Sequence, residues 1–312
     1  MTRSREHEFS SEHFPVVCRA ATPTDVAVIN EFYKGEYGAE YPSFVKVSDL
    51  EDLSRIVVVA VEEGGTRVIG VGQATPWRSG SDIYEVKGLV VDARYRGQKI
   101  GKLLLQERLR ILQERGMSVV CSEPVCRKKG EGRSQNNLLS EGFALTGILP
   151  LKYPDELVVN NQPESVGMAF KFLVGESGWG TRPIYLPEDY KAVLLSTVAP
   201  SGGQGERVLG EMPEVVEFPP EVAEGREGAA FVEVPINWPG ALHLIEKFQQ
   251  QGYLLAGLIP GVHKNSAGNS YDAVIMYRPP VGVQIDFDHI YVVEPLRDLH
   301  KFMREEYREK YS

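Results

Sequence analysis

Cysteine is scarce in this chain: Cys18, Cys121 and Cys126 are all that 312 residues contain. Three thiols are unpaired by count, so no disulfide framework is expected, and a reducing compartment suits them. Histidine is little better represented, with six residues. His7 and His13 sit near the start, and His243, His263, His289 and His300 are spread over the last third. No nucleophile–histidine pair or metal-ligand cluster emerges from their spacing, so metal chemistry is not expected. Apolar runs long enough to cross a bilayer are missing, and the opening MTRSREHEFSSEHF has no apolar core of a signal peptide. The expectation is a cytoplasmic protein with no membrane partner. Cations are in deficit: Lys and Arg number 34 against 43 Asp and Glu, for a net charge of −9. That balance disfavours a nucleic-acid partner bound through its phosphates.

What is present is ordinary in bulk and specific in one place. Hydrophobic content is 42% and charged content 25%, as for a globular protein, and the length suits about two domains. The stretch from Ile83 to Gly116 reads as a buried strand, a short turn and a helix. Leu89, Val90 and Val91 are an uninterrupted apolar run, expected of a strand covered on both faces. From Ile100 the period changes: Ile100, Leu103, Leu104, Ile111 and Leu112 recur at helical spacing. Gln106, Glu107, Arg108, Arg110 and Gln113 are expected on the opposite, polar face. Between strand and helix lies Arg96-Gly97-Gln98-Lys99-Ile100-Gly101. Backbone N–H groups at a helix start, its dipole and three nearby cations make a seat for an anion, a diphosphate above all.

The wider string Val91-Asp92-Ala93-Arg94-Tyr95-Arg96-Gly97 through Leu104 resembles the coenzyme A-binding motif of the GNAT acyltransferase superfamily. The resemblance implies an α/β fold with a mixed sheet and an acetyl-CoA-dependent N-acetyltransferase acting by direct attack of an amine on the thioester. It assigns Leu89, Val90 and Val91 to the pantetheine arm, with the Val91 N–H polarising the acetyl carbonyl. Arg96, Gly97, Gln98, Lys99, Ile100, Gly101 and Lys102 are assigned to the diphosphate. One slot departs from the pattern. The residue before Ile100 is usually glycine in the family, and Lys99 is expected there with negative φ. The acceptor is a small-molecule amine or a peptide, with the loop from Glu36 to Pro42 a candidate wall for its pocket.

Two acids are candidates for the base. Glu85 lies six residues before Val91, which on a regular strand puts both on one face. Glu123 ends the next strand. Against those roles stand structural readings: Glu85 paired with Lys87 or Arg94, and Glu123 a charge capping the sheet. The family often carries a tyrosine as general acid on the following short helix, where this chain has Leu138. Ser134 is read as a helix cap, and Cys121 and Cys126 as buried structural thiols. These departures motivate an alternative, a non-catalytic acyl-CoA-binding or regulatory module. A Rossmann-type dinucleotide protein is disfavoured by the absence of a further glycine before the helix.

The remaining pattern divides the chain. Residues 1–14 are expected to be a tail, 15–178 a complete GNAT domain, and 179–312 a smaller, degenerate GNAT-like domain. The first carries strands at 16–19, 56–62, 67–75, 117–123, 144–149 and 166–174, with a helix after Thr22. The second rests on a repeat: Gly142-Phe143-Ala144-Leu145-Thr146-Gly147-Ile148-Leu149-Pro150 matches Gly252-Tyr253-Leu254-Leu255-Ala256-Gly257-Leu258-Ile259-Pro260 in nearly every slot. Each copy follows a helix and precedes an apolar strand. Residues 127–133 and 201–205 are read as loop and linker, 285–293 as a strand, and 295–311 as an amphipathic helix.

Overall fold

A computed structural model describes residues 7–11, 14–39, 41, 43–52, 54–77, 83–126, 132–153, 164–175, 182–197, 216–218, 222–223, 226–227, 229–264 and 268–311. The loops at 127–131 and 201–205 and most of the turn after Trp77 lie outside them. The chain forms two compact units that divide between Ser122 and Glu123.

The first unit is a six-stranded sheet in chain order: β1 (His7–Ser11), β2 (Phe14–Ala20), β3 (Ile56–Glu62), β4 (Val68–Pro76), β5 (Ile83–Val91) and β6 (Val119–Ser122). Neighbours are antiparallel except β5 and β6, which run parallel because a helix connects them. The chain start, expected to be a tail, contributes β1, which pairs along the open edge of β2. On one face lies α1 (Val26–Tyr37), whose Ile29 and Tyr33 pack on Val57, Val59, Val71 and Val90. The short α2 (Val47–Glu51) follows it. The other face carries α3 (Ile100–Glu114), seated on β2 to β5. Covered on both sides, β3 is apolar at every residue from Ile56 to Val61, and all six are buried. Glycine on β4 lets α3 come close: a Cβ at Gly70 would stand 3.1 Å from the Leu104 side chain.

The second unit is antiparallel throughout, in the order β8, β7, β13, β14, β12, β9. These are β7 (Ala144–Tyr153), β8 (Glu164–Phe172), β9 (Val216–Phe218), β12 (Ala230–Pro235), β13 (Leu254–Lys264) and β14 (Ser270–Arg278). A separate small ribbon pairs β10 (Val222–Ala223) with β11 (Arg226–Glu227). Its helices are α4 (Arg133–Ser140), α5 (Glu188–Thr197), α6 (Ala241–Gln250) and α7 (Arg297–Tyr311).

The sequence repeat has a structural counterpart here. Hairpins β7/β8 and β13/β14 carry register shifts at matching points, after Leu145 and Leu149 in one and after Leu255 and Ile259 in the other. Leu151 and Gly261, matching slots, both have positive φ, 50° and 60°. The two hairpins join through Gly147 opposite Gly257, again matching residues. The strand expected over 285–293 is not formed. Asp286 caps a 3-10 turn at Phe287–His289, and the backbone of Tyr291 and Val293 bonds to Cys126 O and the Gln135 side chain. Helix α7 packs on α5, β7 and β13 within this unit. Among the described residues no helix is long and apolar enough to cross a membrane.

Candidate functional site

Strand β5 is where the first unit's sheet opens. It pairs with β6 only through Ile83, Tyr84 and Glu85, opposite Val119, Val120 and Cys121. Beyond that point the two parallel strands part, and the Ser122 hydroxyl donates to Val86 O at 2.9 Å, at the fork. Residues 86–91 keep their ladder with β4 on one side and have none with β6 on the other. Leu89, Val90 and Val91 therefore present a strand edge to the seam.

The ladder with β4 is itself interrupted. Gln73 pairs with Lys87 and Val71 with Val90, so two residues of β5, Gly88 and Leu89, oppose the single Gly72. This is a β-bulge, and Gly88 takes the left-handed φ of 58° that it requires. The extra residue corrects the face reading. Val90 packs on the α1 side, and Val91, opposite Gly70, turns to the α3 side. Glu85 pairs with Thr75 ahead of the bulge and lies on the α1 side near Tyr41. Glu85 and Val91 thus occupy opposite faces, because an inserted residue reverses strand alternation.

After β5, Asp92 accepts from Arg94 N at 3.0 Å and caps a 3-10 turn at Ala93–Tyr95. The Arg94 guanidinium beside it holds the Asp92 carboxyl below the usual range. Arg96 donates to Val91 O at 3.0 Å and to Glu36 on α1 at 2.9 Å, which ties the turn to the strand end. Gly97 has φ 86° and Lys99 has φ 61°. The negative φ expected of Lys99 is therefore wrong: the turn into α3 keeps its left-handed step although the residue is not glycine. Lys99 O accepts from Lys102 N and Leu103 N and so starts the helix. The Gln98 side-chain oxygen is buried inside the turn, with no hydrogen-bond partner among the described residues. A groove of about 530 Å³ opens nearby, lined by Arg19, Phe32, Arg67, Asp92 and Arg94. It takes in none of Leu89 to Val91.

Glu85 is half-buried, with Lys87 Nζ 3.1 Å from its carboxylate. Tyr41, stacked on Tyr37 at 4.5 Å, adjoins it, and burial pushes the Tyr41 phenol up to about 12. Glu123 belongs to the second unit, where its buried carboxylate meets Lys152 Nζ and accepts from the Tyr153 hydroxyl at 3.1 Å. Leu138 is buried on α4. Ser134 does not cap that helix: Gly132 is the N-cap, and the Ser134 hydroxyl reaches Val125 O at 3.5 Å. The three cysteines are buried and form no disulfide, and burial pushes the Cys18 thiol up to about 12 and that of Cys126 higher still. Neither is a ready nucleophile at neutral pH. Among the described residues no three His, Cys, Asp or Glu side chains are grouped to hold a metal ion.

Residues 26–125 match the family model described as Acetyltransferase (GNAT) family. This part of the chain is a GNAT domain. No curated protein matches the chain. Solved structures similar to it include yncA of Salmonella typhimurium, determined with acetyl-CoA, at 20% identity over 52% of this chain and 95% of that one, TM-score 0.42. The ribosomal-protein-S5-alanine acetyltransferase of Vibrio fischeri is 16% identical over 54% of this chain and 97% of its own, TM-score 0.43. A ribosomal-protein-alanine N-acetyltransferase from Brucella melitensis is 21% identical over 50% and 98%, TM-score 0.40. Outside the expected set, the GNAT domain buries Arg108, Gln73 and Tyr33 around the bulge. The signal for Arg108 was the pair of glycines at alternate positions on β4, Gly70 and Gly72, which leave room for a large side chain from α3.

Proposed function

We propose that the GNAT domain transfers an acetyl group from acetyl-CoA to a primary amine by direct attack on the thioester. The observation that carries this reading is the opened β5/β6 seam leading straight into the Arg96–Lys102 turn. The parts suit the carrier. An unladdered strand edge suits the amides of a pantetheine arm, while exposed Arg96 and Lys99 and the start of α3 suit a diphosphate. The orphaned Gln98 oxygen is an acceptor, so it suits a hydroxyl or amide N–H of the carrier and not its phosphates.

The thioester supplies an activated acyl group and a good leaving thiolate. The protein's own residues do the rest. Leu89, Val90 and Val91 bind and align through the backbone, and the Val91 N–H polarises the acyl oxygen, an effect of a few kcal/mol for a preorganised donor. Glu85 stands on the α1 face, where the tyrosine-lined loop borders it, and takes the proton of an amine arriving from that side. Glu123, clamped by Lys152 and Tyr153, is the less available of the two candidate bases. The acceptor is a small-molecule amine or a peptide, the compartment cytoplasmic, and residues 179–312 a partial GNAT-like domain, supported by the matched bulges of the two hairpins.

A second reading, a non-catalytic acyl-CoA-binding module, is favoured by the ion pairs that occupy both Glu85 and Glu123. Calorimetry with coenzyme A and an amine panel read by thiol release separate the two. The enzyme reading expects acceptor-dependent thiol, with Glu85→Gln lowering kcat by about 10²-fold or more while coenzyme A affinity persists. Binding with no turnover on any amine supports the module, and no binding at all sinks both.

A further inference from the structure

Arg108 is the largest fully buried side chain among the described residues, 2% exposed, on a helix surface expected to be polar. Its Nη1 donates to Gln73 O at 2.9 Å and to Lys87 O at 3.1 Å, and its Nε to Leu104 O at 3.0 Å. Gln73 and Lys87 are the last paired residues before the bulge, one on each strand. One guanidinium therefore clasps both strands where their register slips. The slot it fills belongs to Gly72, at which a Cβ would lie 2.8 Å from the guanidinium carbon.

The other side of the bulge is built as closely. A Cβ at Gly88 would meet the Tyr33 hydroxyl at 3.0 Å and the Gln73 amide nitrogen and Tyr41 hydroxyl at 3.3 Å. Gln73 is fixed by Arg55, which donates to its side-chain oxygen, and it donates in turn to Ser43 O at 3.1 Å. Neighbouring Glu107 is engaged by Arg110 at 2.7 Å. Burial pulls the Arg108 pKa down to about 10, which leaves a cation at neutral pH. A buried cation held by carbonyls costs more than a well-packed apolar side chain of the same volume, so packing alone does not account for it.

We propose that Arg108 is a positioning residue for acyl transfer. By holding the Gln73 and Lys87 carbonyls from the α3 side, it fixes the bulge that turns Val91 toward α3 and leaves Glu85 toward α1. The proposal rests on the acetyltransferase reading only for its catalytic consequence. The bulge itself is read without any carrier.

The full-length Arg108→Met protein is compared with wild type by the amide resonances of Gly88 and Leu89, by calorimetric coenzyme A affinity and by KM for acetyl-CoA. Both resonances are expected to move, and Kd and KM to rise about tenfold, the worth of one hydrogen bond from a charged donor. Arg108→Lys, which still reaches a carbonyl, recovers part of the loss. Leu112→Ala, a buried change one turn further along the same helix and outside the bulge's hydrogen bonds, lowers thermal stability but moves neither resonance nor KM. Gly72→Ala displaces the guanidinium while keeping its charge, and is expected to reproduce Arg108→Met should that variant not fold. Unmoved Gly88 and Leu89 resonances in both Arg108→Met and Gly72→Ala overturn the proposal, as does an equal rise of KM in Leu112→Ala. If wild type binds no coenzyme A, the acyl-transfer reading fails, and the resonances still decide whether Arg108 holds the bulge.

Discussion

Lys99 carries a cost that its position imposes. At φ 61° its side chain crowds the backbone, a penalty of roughly 1–2 kcal/mol that glycine avoids. The residue is exposed, so under the proposed acetyl-CoA reading the same side chain that strains the backbone would add charge for a diphosphate. Lys99→Gly separates the two effects. Stability is expected to rise by about 1 kcal/mol in a denaturant melt, while coenzyme A affinity falls by about threefold, as suits one solvent-exposed charge. A variant that loses both stability and affinity would show that the turn depends on lysine for more than its charge.

At the scale of elements, α7 is fastened through one acid. Glu306 accepts from the Tyr190 hydroxyl of α5 at 2.5 Å and from Leu255 N of β13 at 3.0 Å. Asp189 and Tyr190 of α5, Tyr277 of β14 and Lys310 of α7 surround it, and Gln249 of α6 donates to the same Tyr190 hydroxyl. Burial pushes the Glu306 carboxyl up to about 7. A folded pKa above the unfolded value means that this group's contribution is complete below the ordinary glutamate range and is lost as pH rises through about 7. Wild-type stability is therefore expected to decline between pH 5 and pH 8 by a component that Glu306→Gln abolishes, as measured by urea unfolding across that range. An unchanged slope in the variant would assign the decline elsewhere.

Elements also show what could be read in advance. β3, β5, α3 and the parallel step to β6 were legible, because apolar runs and helical spacing report burial directly. The Arg96–Gly101 turn was legible because glycine and polar residues fall between an apolar run and a helical period. Glu107 and Arg108 were misread because periodicity weighs residue type alone. Whether a cation is buried depends on a gap in the strand it meets, here Gly72 on β4. The Glu85 face was misread for a related reason: parity counts hold on regular strands, and a bulge is a pairing between two strands that neither sequence states alone. The 285–293 segment, apolar enough for a strand, gave its backbone bonds to Gln135 and to a loop carbonyl instead.

At the scale of the molecule, the repeated hairpins matter most where they touch. A Cβ at Gly257 would stand 2.4 Å from the Gly147 Cα and 2.6 Å from Thr146 O, backbone atoms that cannot swing aside. One at Gly147 would meet Ala256 O at 3.1 Å. Gly257→Ala is expected to destabilise the second unit by about 3 kcal/mol, and Gly147→Ala by clearly less, in calorimetric melts. Equal effects would mean that the strands shift freely at this crossing.

That crossing has a further consequence. Like residues facing like across antiparallel strands is the arrangement two identical subunits adopt about a dyad. Here a single polypeptide supplies both halves, so their encounter is intramolecular and dilution cannot part them.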